Sequence, residues 1–276
     1  VYLAENYVAL GGKLLNILCK HGIGVRGYVY NASSFDKLES ANTEVEAIKD
    51  LCNDIHGFLI PEKQLKRDSL VEFSNSIPVL TEENLENTSK FAVQHNRVVP
   101  REVSAKTDVE MMVFKQEYAS AALYGFAVNM DLGWILRPRY EGGGGFANLP
   151  PGFSVSDERV LRAKASILAL FNTLMGSGSK QARALPIVKL DELMIAVSEI
   201  PIPNLVHGAY EDYAKLSIEL LNAYYQTYGS NKFMKIYCYG ISDCSSTGGL
   251  QIKRYDKLNE LITELVKDIE DLIKKT

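Results

Sequence analysis

At 276 residues and a net charge of −4, the chain exceeds one average domain and is not, as a whole, an electrostatic magnet for nucleic acid. Hydrophobic residues make up 46% and charged residues 23%, an ordinary balance for a folded protein with a substantial core. No apolar run approaches the roughly 18–20 residues of a membrane-spanning helix, and no secretory signal opens the chain. The four cysteines (19, 52, 238 and 244) are too few for a disulfide scaffold. The expectation is a cytoplasmic protein with no membrane partner. The first residue is Val, within a helical pattern, so natural residues are expected ahead of it.

Leu3, Tyr7, Leu10, Leu14 and Leu18 recur at helical spacing and predict an amphipathic helix over 3–20. Gly11 and Gly12 either weaken it or mark a close packing contact. A polar loop is expected at 31–40. Val45, Ile48, Leu51 and Ile55 share one face of a second helix, with Gly57 as its stop. Strand-like runs at 58–60 and 70–73 are joined by a polar link over 62–68. Residues 81–117 begin Thr-Glu-Glu-Asn, continue through apolar 91–99 and a polar stretch, and reach apolar 111–114; two extended arms with a polar tip predict a protruding hairpin.

A buried strand is expected over 121–130, and a loop at Gly142–Gly145 and Pro150-Pro151-Gly152. The clearest helix covers 157–175, with Ser156 as N-cap, Asp157 and Glu158 at the positive dipole end, and an apolar stripe of Val160, Ala163, Ile167, Leu170 and Leu174. Beyond the Gly-rich loop 176–179, strands are expected at 185–190, 193–197 and 233–239, and helices at 210–225 and 257–274. Strands and helices mix without βαβ repetition or an internal repeat, which favours an α+β fold, taken as a single large domain with insertions over 1–276.

Cys19, His21, Cys52 and His56 are zinc-ligand types, but Cys19 and His21 lie two apart on a helix end and do not share a face; no metal site is expected. Gly176-Ser-Gly-Ser-Lys180 lacks the Walker spacing and follows a helix, the reverse of a P-loop, so nucleotide hydrolysis is not expected. That loop either offers backbone N–H groups to an anion, with Lys180 and Arg183 adding charge, or is a plain turn. Lys63, Lys66 and Arg67 cluster, as do His95, Arg97 and Arg101; such clusters are most often solvated faces. No Ser–His–Asp order, carboxylate pair or His-Glu-x-x-His appears, so neither a catalytic residue nor a cofactor is expected.

Several segments carry a family likeness: Asp54-Ile-His-Gly-Phe-Leu-Ile, Lys66-Arg-Asp-Ser-Leu-Val, His95-Asn-Arg-Val, Glu117-Tyr-Ala-Ser-Ala-Ala-Leu-Tyr-Gly-Phe, Asp131-Leu-Gly, and Pro201-Ile-Pro-Asn-Leu-Val-His-Gly-Ala-Tyr-Glu-Asp-Tyr. In that order, over roughly residues 50–215, the chain resembles archaeal type I-A members of the Cas-seven superfamily, the DevR-like backbone subunits of Cascade. The resemblance implies an RRM-like (ferredoxin-like) palm with helical insertions and a β-hairpin thumb, here 81–117. It implies binding to crRNA, stacking with other copies of itself along that guide, pairing of the guide with a target DNA strand, and contacts with other Cascade subunits.

The same resemblance implies a structural role rather than an enzymatic one. It places RNA contacts at Lys66, Arg67, His95, Asn96, Arg97, Met112, Phe114, Gly178, Lys180, Gln181 and Arg183. Related type III subunits cut target RNA, so an endoribonuclease is the alternative, followed by a protein-interaction module without RNA. Two departures stand out. The family's first strand and early RNA-contacting loop precede the start of this chain, and Lys180 and Arg183 are more widely spaced than the basic residues of the family's loop.

Overall fold

The structure is a computed structural model that describes residues 2–14, 41–60, 63–87, 89–98, 111–120, 123–141, 144–175, 189–229, 231–245 and 248–275. The expected loop at 31–40, Cys19 and His21, and the Gly-rich loop with Gly178, Lys180, Gln181 and Arg183 lie outside the described residues.

Helix α1 (Tyr2–Ala9) buries Leu3, Ala4 and Tyr7 and stops well short of residue 20. A Cβ on Gly12 would lie 2.4 Å from the Tyr7 ring, so Gly12 is a close packing contact. The second expected helix is two short ones. Thr43 caps α2 (Glu44–Ala47) and Asp50 caps α3 (Leu51–His56), each side chain accepting from a backbone N–H three residues on. Ile48, Leu51 and Ile55 are buried as the periodicity required, and Gly57 closes α3 at a φ of 74°.

Strand β1 (Phe58–Ile60) pairs antiparallel with β2 (Leu65–Arg67), a strand inside the stretch expected to be an irregular link. The alternation there is real, but its inward residue is a charged one, Arg67, which disguised it. Strand β3 (Val71–Phe73) pairs with β8 (Val128–Met130), and β4 (Ile77–Pro78) with β7 (Tyr124–Gly125). The single buried strand expected over 121–130 is therefore interrupted. At Gly125 the segment lies against the backbone of Gly208 and Ala209, with no room for a side chain.

Thr81 caps a helix, α4 (Glu82–Glu86), so the hairpin begins later than expected. It consists of β5 (Ser89–Val98) and β6 (Met111–Ser120), paired from Ser89 opposite Ser120 to Val98 opposite Met111.

Ser154, rather than Ser156, caps α5 (Val155–Leu174); its Oγ accepts from Asp157 N at 3.3 Å. Then come β9 (Leu193–Ser198), α6 (Tyr213–Tyr224) ending in a π turn, β10 (Met234–Tyr239), β11 (Gln251–Tyr255) and α7 (Leu258–Lys275). Strand β11 was not foreseen, because only Tyr255 on it is buried. The three strands form one sheet in the order β11-β10-β9, antiparallel between β10 and β9 and parallel between β10 and β11.

The period of two on β10 builds both halves of the core. Tyr237 joins Leu261, Leu265, Ile269 and Ile273 of α7 and Ile167 and Phe171 of α5 on one side. Met234, Ile236 and Cys238 join Ile218 and Leu221 of α6 on the other. The result is a mixed α/β fold built from small sheets. Cys238 and Cys244 are joined by a disulfide across the loop after β10. Among the described residues, no helix is long and apolar enough to cross a membrane.

Candidate nucleic-acid interface

The hairpin brings together two segments singled out in the sequence. Its antiparallel register sets His95 opposite Phe114, Asn96 opposite Val113 and Arg97 opposite Met112. By the two-residue period, the positions of His95, Phe114, Arg97 and Met112 fall on one face of the ribbon and those of Asn96 and Val113 on the other.

A buried ionic network joins α2, α3, β2 and α5. Asp54 on α3 accepts from Arg67 Nη2 at 2.7 Å, from Arg162 Nη1 at 2.8 Å and from the Leu136 N–H at 3.0 Å. Burial raises the Asp54 carboxyl on balance, against the pull of Arg162 and Arg67, and both of its oxygens accept hydrogen bonds. Arg162 also donates to Glu158 at 2.9 Å, and Glu158 accepts the Tyr7 hydroxyl. Each buried charge thus meets an opposite one, the condition under which such a cluster is tolerated in an interior.

This network holds one segment, residues 134–140, from below. Arg67 donates to the carbonyls of Trp134 and Arg137 at 2.8 and 2.9 Å. Glu44 accepts the backbone N–H groups of Arg139 and Tyr140 at 2.9 and 2.8 Å, besides Arg67 Nη1. Ile135 and Leu136 are fully buried, whereas Trp134, Arg137, Arg139 and Tyr140 reach the surface.

Arg67 was expected to contact RNA, and the structure corrects this. Its side chain is shut off from solvent and its donors are spent on Asp54, Glu44 and backbone carbonyls, so it supports the surface without facing a ligand. Lys66, one residue earlier on β2, points the other way and is 53% exposed. Its ammonium lies 4.9 Å from the centre of the Tyr140 ring. The Tyr140 hydroxyl donates to Asp68 and, with Lys66 and Arg139, holds that carboxyl below its usual range.

Further cations sit on aromatic faces along the same surface. Arg139 lies 5.3 Å from the Trp134 ring centre and pairs with Asp131 at 3.0 Å. Arg137 approaches Phe146 at 4.7 Å, and Arg159, itself buried, lies 4.3 Å from the same ring centre. The sequence reading passed over these residues, although Trp134-Ile-Leu-Arg-Pro-Arg-Tyr140 interleaves cations with aromatics and could have flagged them. Cys52 and His56 both lie on α3, and no group of three metal-ligating side chains occurs among the described residues.

Residues 2–218 match the family described as CRISPR-associated negative auto-regulator DevR/Csa2. The chain belongs to the DevR/Csa2 family. A relative named CRISPR-associated protein Cas7/Cst2/DevR, from Thermoproteus tenax, is 51% identical over 275 residues, covering 97% of this chain and 78% of the relative. A protein of the same name from Methanocaldococcus jannaschii is 38% identical over 185 residues, covering 63% of this chain and 54% of that protein.

Two solved chains show a remote likeness to this DevR/Csa2 member. One belongs to a CRISPR RNA-guided surveillance complex, with a TM-score of 0.39 and 18% identity over 82% of this chain and 81% of that one. The other belongs to such a complex described as pre-nicking, with a TM-score of 0.37 and 16% identity over 86% of this chain and 58% of that one.

Proposed function

We propose that this DevR/Csa2 member is the crRNA-binding backbone subunit of a type I-A CRISPR surveillance complex. It is a cytoplasmic, non-enzymatic scaffold that stacks with copies of itself along the guide and presents it for pairing with target DNA. Its sheet and flanking helices are the RRM-like palm of a single large domain, and the β5–β6 hairpin is the thumb. The observation that carries this reading is the hairpin register, which sets residues 95–97 opposite 112–114 in a chain of this family.

The division of labour follows from the chemistry. Lys, Arg and backbone amides hold a phosphate backbone and carry no sequence information, leaving base edges free for a complementary strand. Expression in a heterologous host tests this directly. A scaffold purifies with bound nucleic acid and as elongated oligomers; a nucleic-acid-free monomer contradicts the reading and leaves a protein-interaction module. Cleavage of complementary RNA by the assembled complex with a divalent metal would instead make it an endoribonuclease.

A further inference from the structure

We propose that residues 134–140, with Lys66 and Phe146, form a second contact for single-stranded nucleic acid, apart from the hairpin. This contact holds the phosphodiester backbone and one unstacked base, and it rests on the scaffold reading above.

Three observations converge on it. The first is the alternation itself: Lys66 on Tyr140, Arg139 on Trp134, and Arg137 on Phe146. A single strand alternates anionic phosphates with flat bases, and alternating cations and ring faces match it in kind. Tyr140, 53% exposed, is the open ring on which a base can stack.

The second is charge balance. Asp68 and Asp131 are the carboxylates paired with this surface, against the cations Lys66, Arg137 and Arg139. Arg137 makes no ion pair among the described residues, and its Nε is buried without a hydrogen-bond partner. An anion at Arg137 would answer that excess.

The third is preorganisation. Leu136 has a φ of 59°, a left-handed conformation that a branched side chain rarely adopts. Its N–H is held by Asp54, and its carbonyl accepts from Ala147 N at 2.7 Å. Strain that the surroundings over-determine is a feature of ligand clamps. Here it turns the chain so that Leu136 is buried and its neighbour Arg137 reaches the surface.

The chain's one tryptophan is Trp134, which gives the site its own signal. A 12-mer of uridylate is titrated into the intact protein while Trp134 emission and the anisotropy of a labelled 12-mer are followed together. The proposal expects Trp134 emission to change and saturate at the same concentration as the anisotropy. Lys66→Ala with Arg139→Ala should lower the magnitude of the salt slope by roughly 1.4, or about 0.7 per lost phosphate contact on a single strand. A matched thymidylate 12-mer tells guide from target, since the strand producing the larger Trp134 change is the one held. Anisotropy that reports binding while Trp134 stays silent and the double variant keeps its slope overturns this site and leaves the scaffold reading standing. No binding in either signal removes both.

Discussion

Arg67 Nη2 and Asp54 Oδ1 lie 2.7 Å apart with both side chains fully buried, and the same Asp54 carboxylate holds Arg162 at 2.8 Å. Removing the shared anion leaves Arg67 with Glu44 and Arg162 with Glu158 alone, and sets an amide NH2 against donors that had faced a carboxylate. Asp54→Asn should destabilise the fold by about 3–5 kcal/mol, read as a lowered urea midpoint. Lys66→Ala, beside it on the exposed side of β2, should change stability by less than about 0.5 kcal/mol. A tolerated Asp54→Asn would mean the network does not pin residues 134–140.

Gly125 and Gly133 offer a contrast within one short stretch. A Cβ on Gly125 would fall 2.1 Å from the Gly208 carbonyl, and backbone cannot rotate away. Gly125→Ala must lift residues 208–209 and strain the hydrogen bond from Leu80 N to Ala209 O. We expect a loss of about 1–3 kcal/mol by thermal or chemical denaturation. Gly133→Ala meets nothing nearer than Asp131 Oδ1 at 3.7 Å and should be tolerated.

Acid should weaken the packing of α7. Hydrogen bonds from Lys164 and Lys274 hold the Glu270 carboxyl at about 2. Burial pushes Glu264 up, but hydrogen bonds from Lys235 and Lys253 outweigh it and hold that carboxyl at about 2 as well. Both folded values lie below the ordinary 4.5, so this stabilisation is fully present above that pH and is lost as pH falls toward about 2. Melting temperatures from pH 6 down to pH 2.5 should fall for the wild type and fall less steeply for Glu270→Gln. Parallel curves would remove Glu270 from the account.

Where burial followed periodicity, the sequence was readable. Val160, Ala163 and Ile167 of α5 and the Ile48, Leu51 and Ile55 face were identified correctly because hydrophobic spacing and burial coincide there, whereas Leu170 and Leu174 are only half-buried and Phe171 takes the core position. Reading failed where charge went inside. Arg67 and Arg162 look like surface residues until Asp54, Glu44 and Glu158 are seen around them, and no sequence spacing links residues 44, 54, 67 and 162. The hairpin was legible as two arms, yet its start was misplaced because Thr81 begins a capped helix, not a strand. The cation–aromatic surface was missed because Lys66 and Phe146 join residues 134–140 only through the tertiary fold.

If the β5–β6 hairpin is a thumb, it can be removed without loss of the core. Replacing residues 96–113 with a short Gly-Ser linker should leave a soluble, cooperatively folding protein that binds RNA more weakly and no longer produces periodic chemical reactivity along the guide. On the thumb reading, Met112 and Phe114, opposite Arg97 and His95 in the register, are the residues proposed to wedge between unstacked bases. An unfolded or aggregated product would place the hairpin in the core and end the thumb assignment.

The most direct test of the central claim is the affinity for single-stranded RNA of unrelated sequences, measured between about 50 and about 500 mM salt. A scaffold that grips phosphates should bind every sequence alike and lose affinity steeply, with log affinity linear in log salt. Equal affinity at both ends of that range, or strong preference for one sequence, would contradict the account.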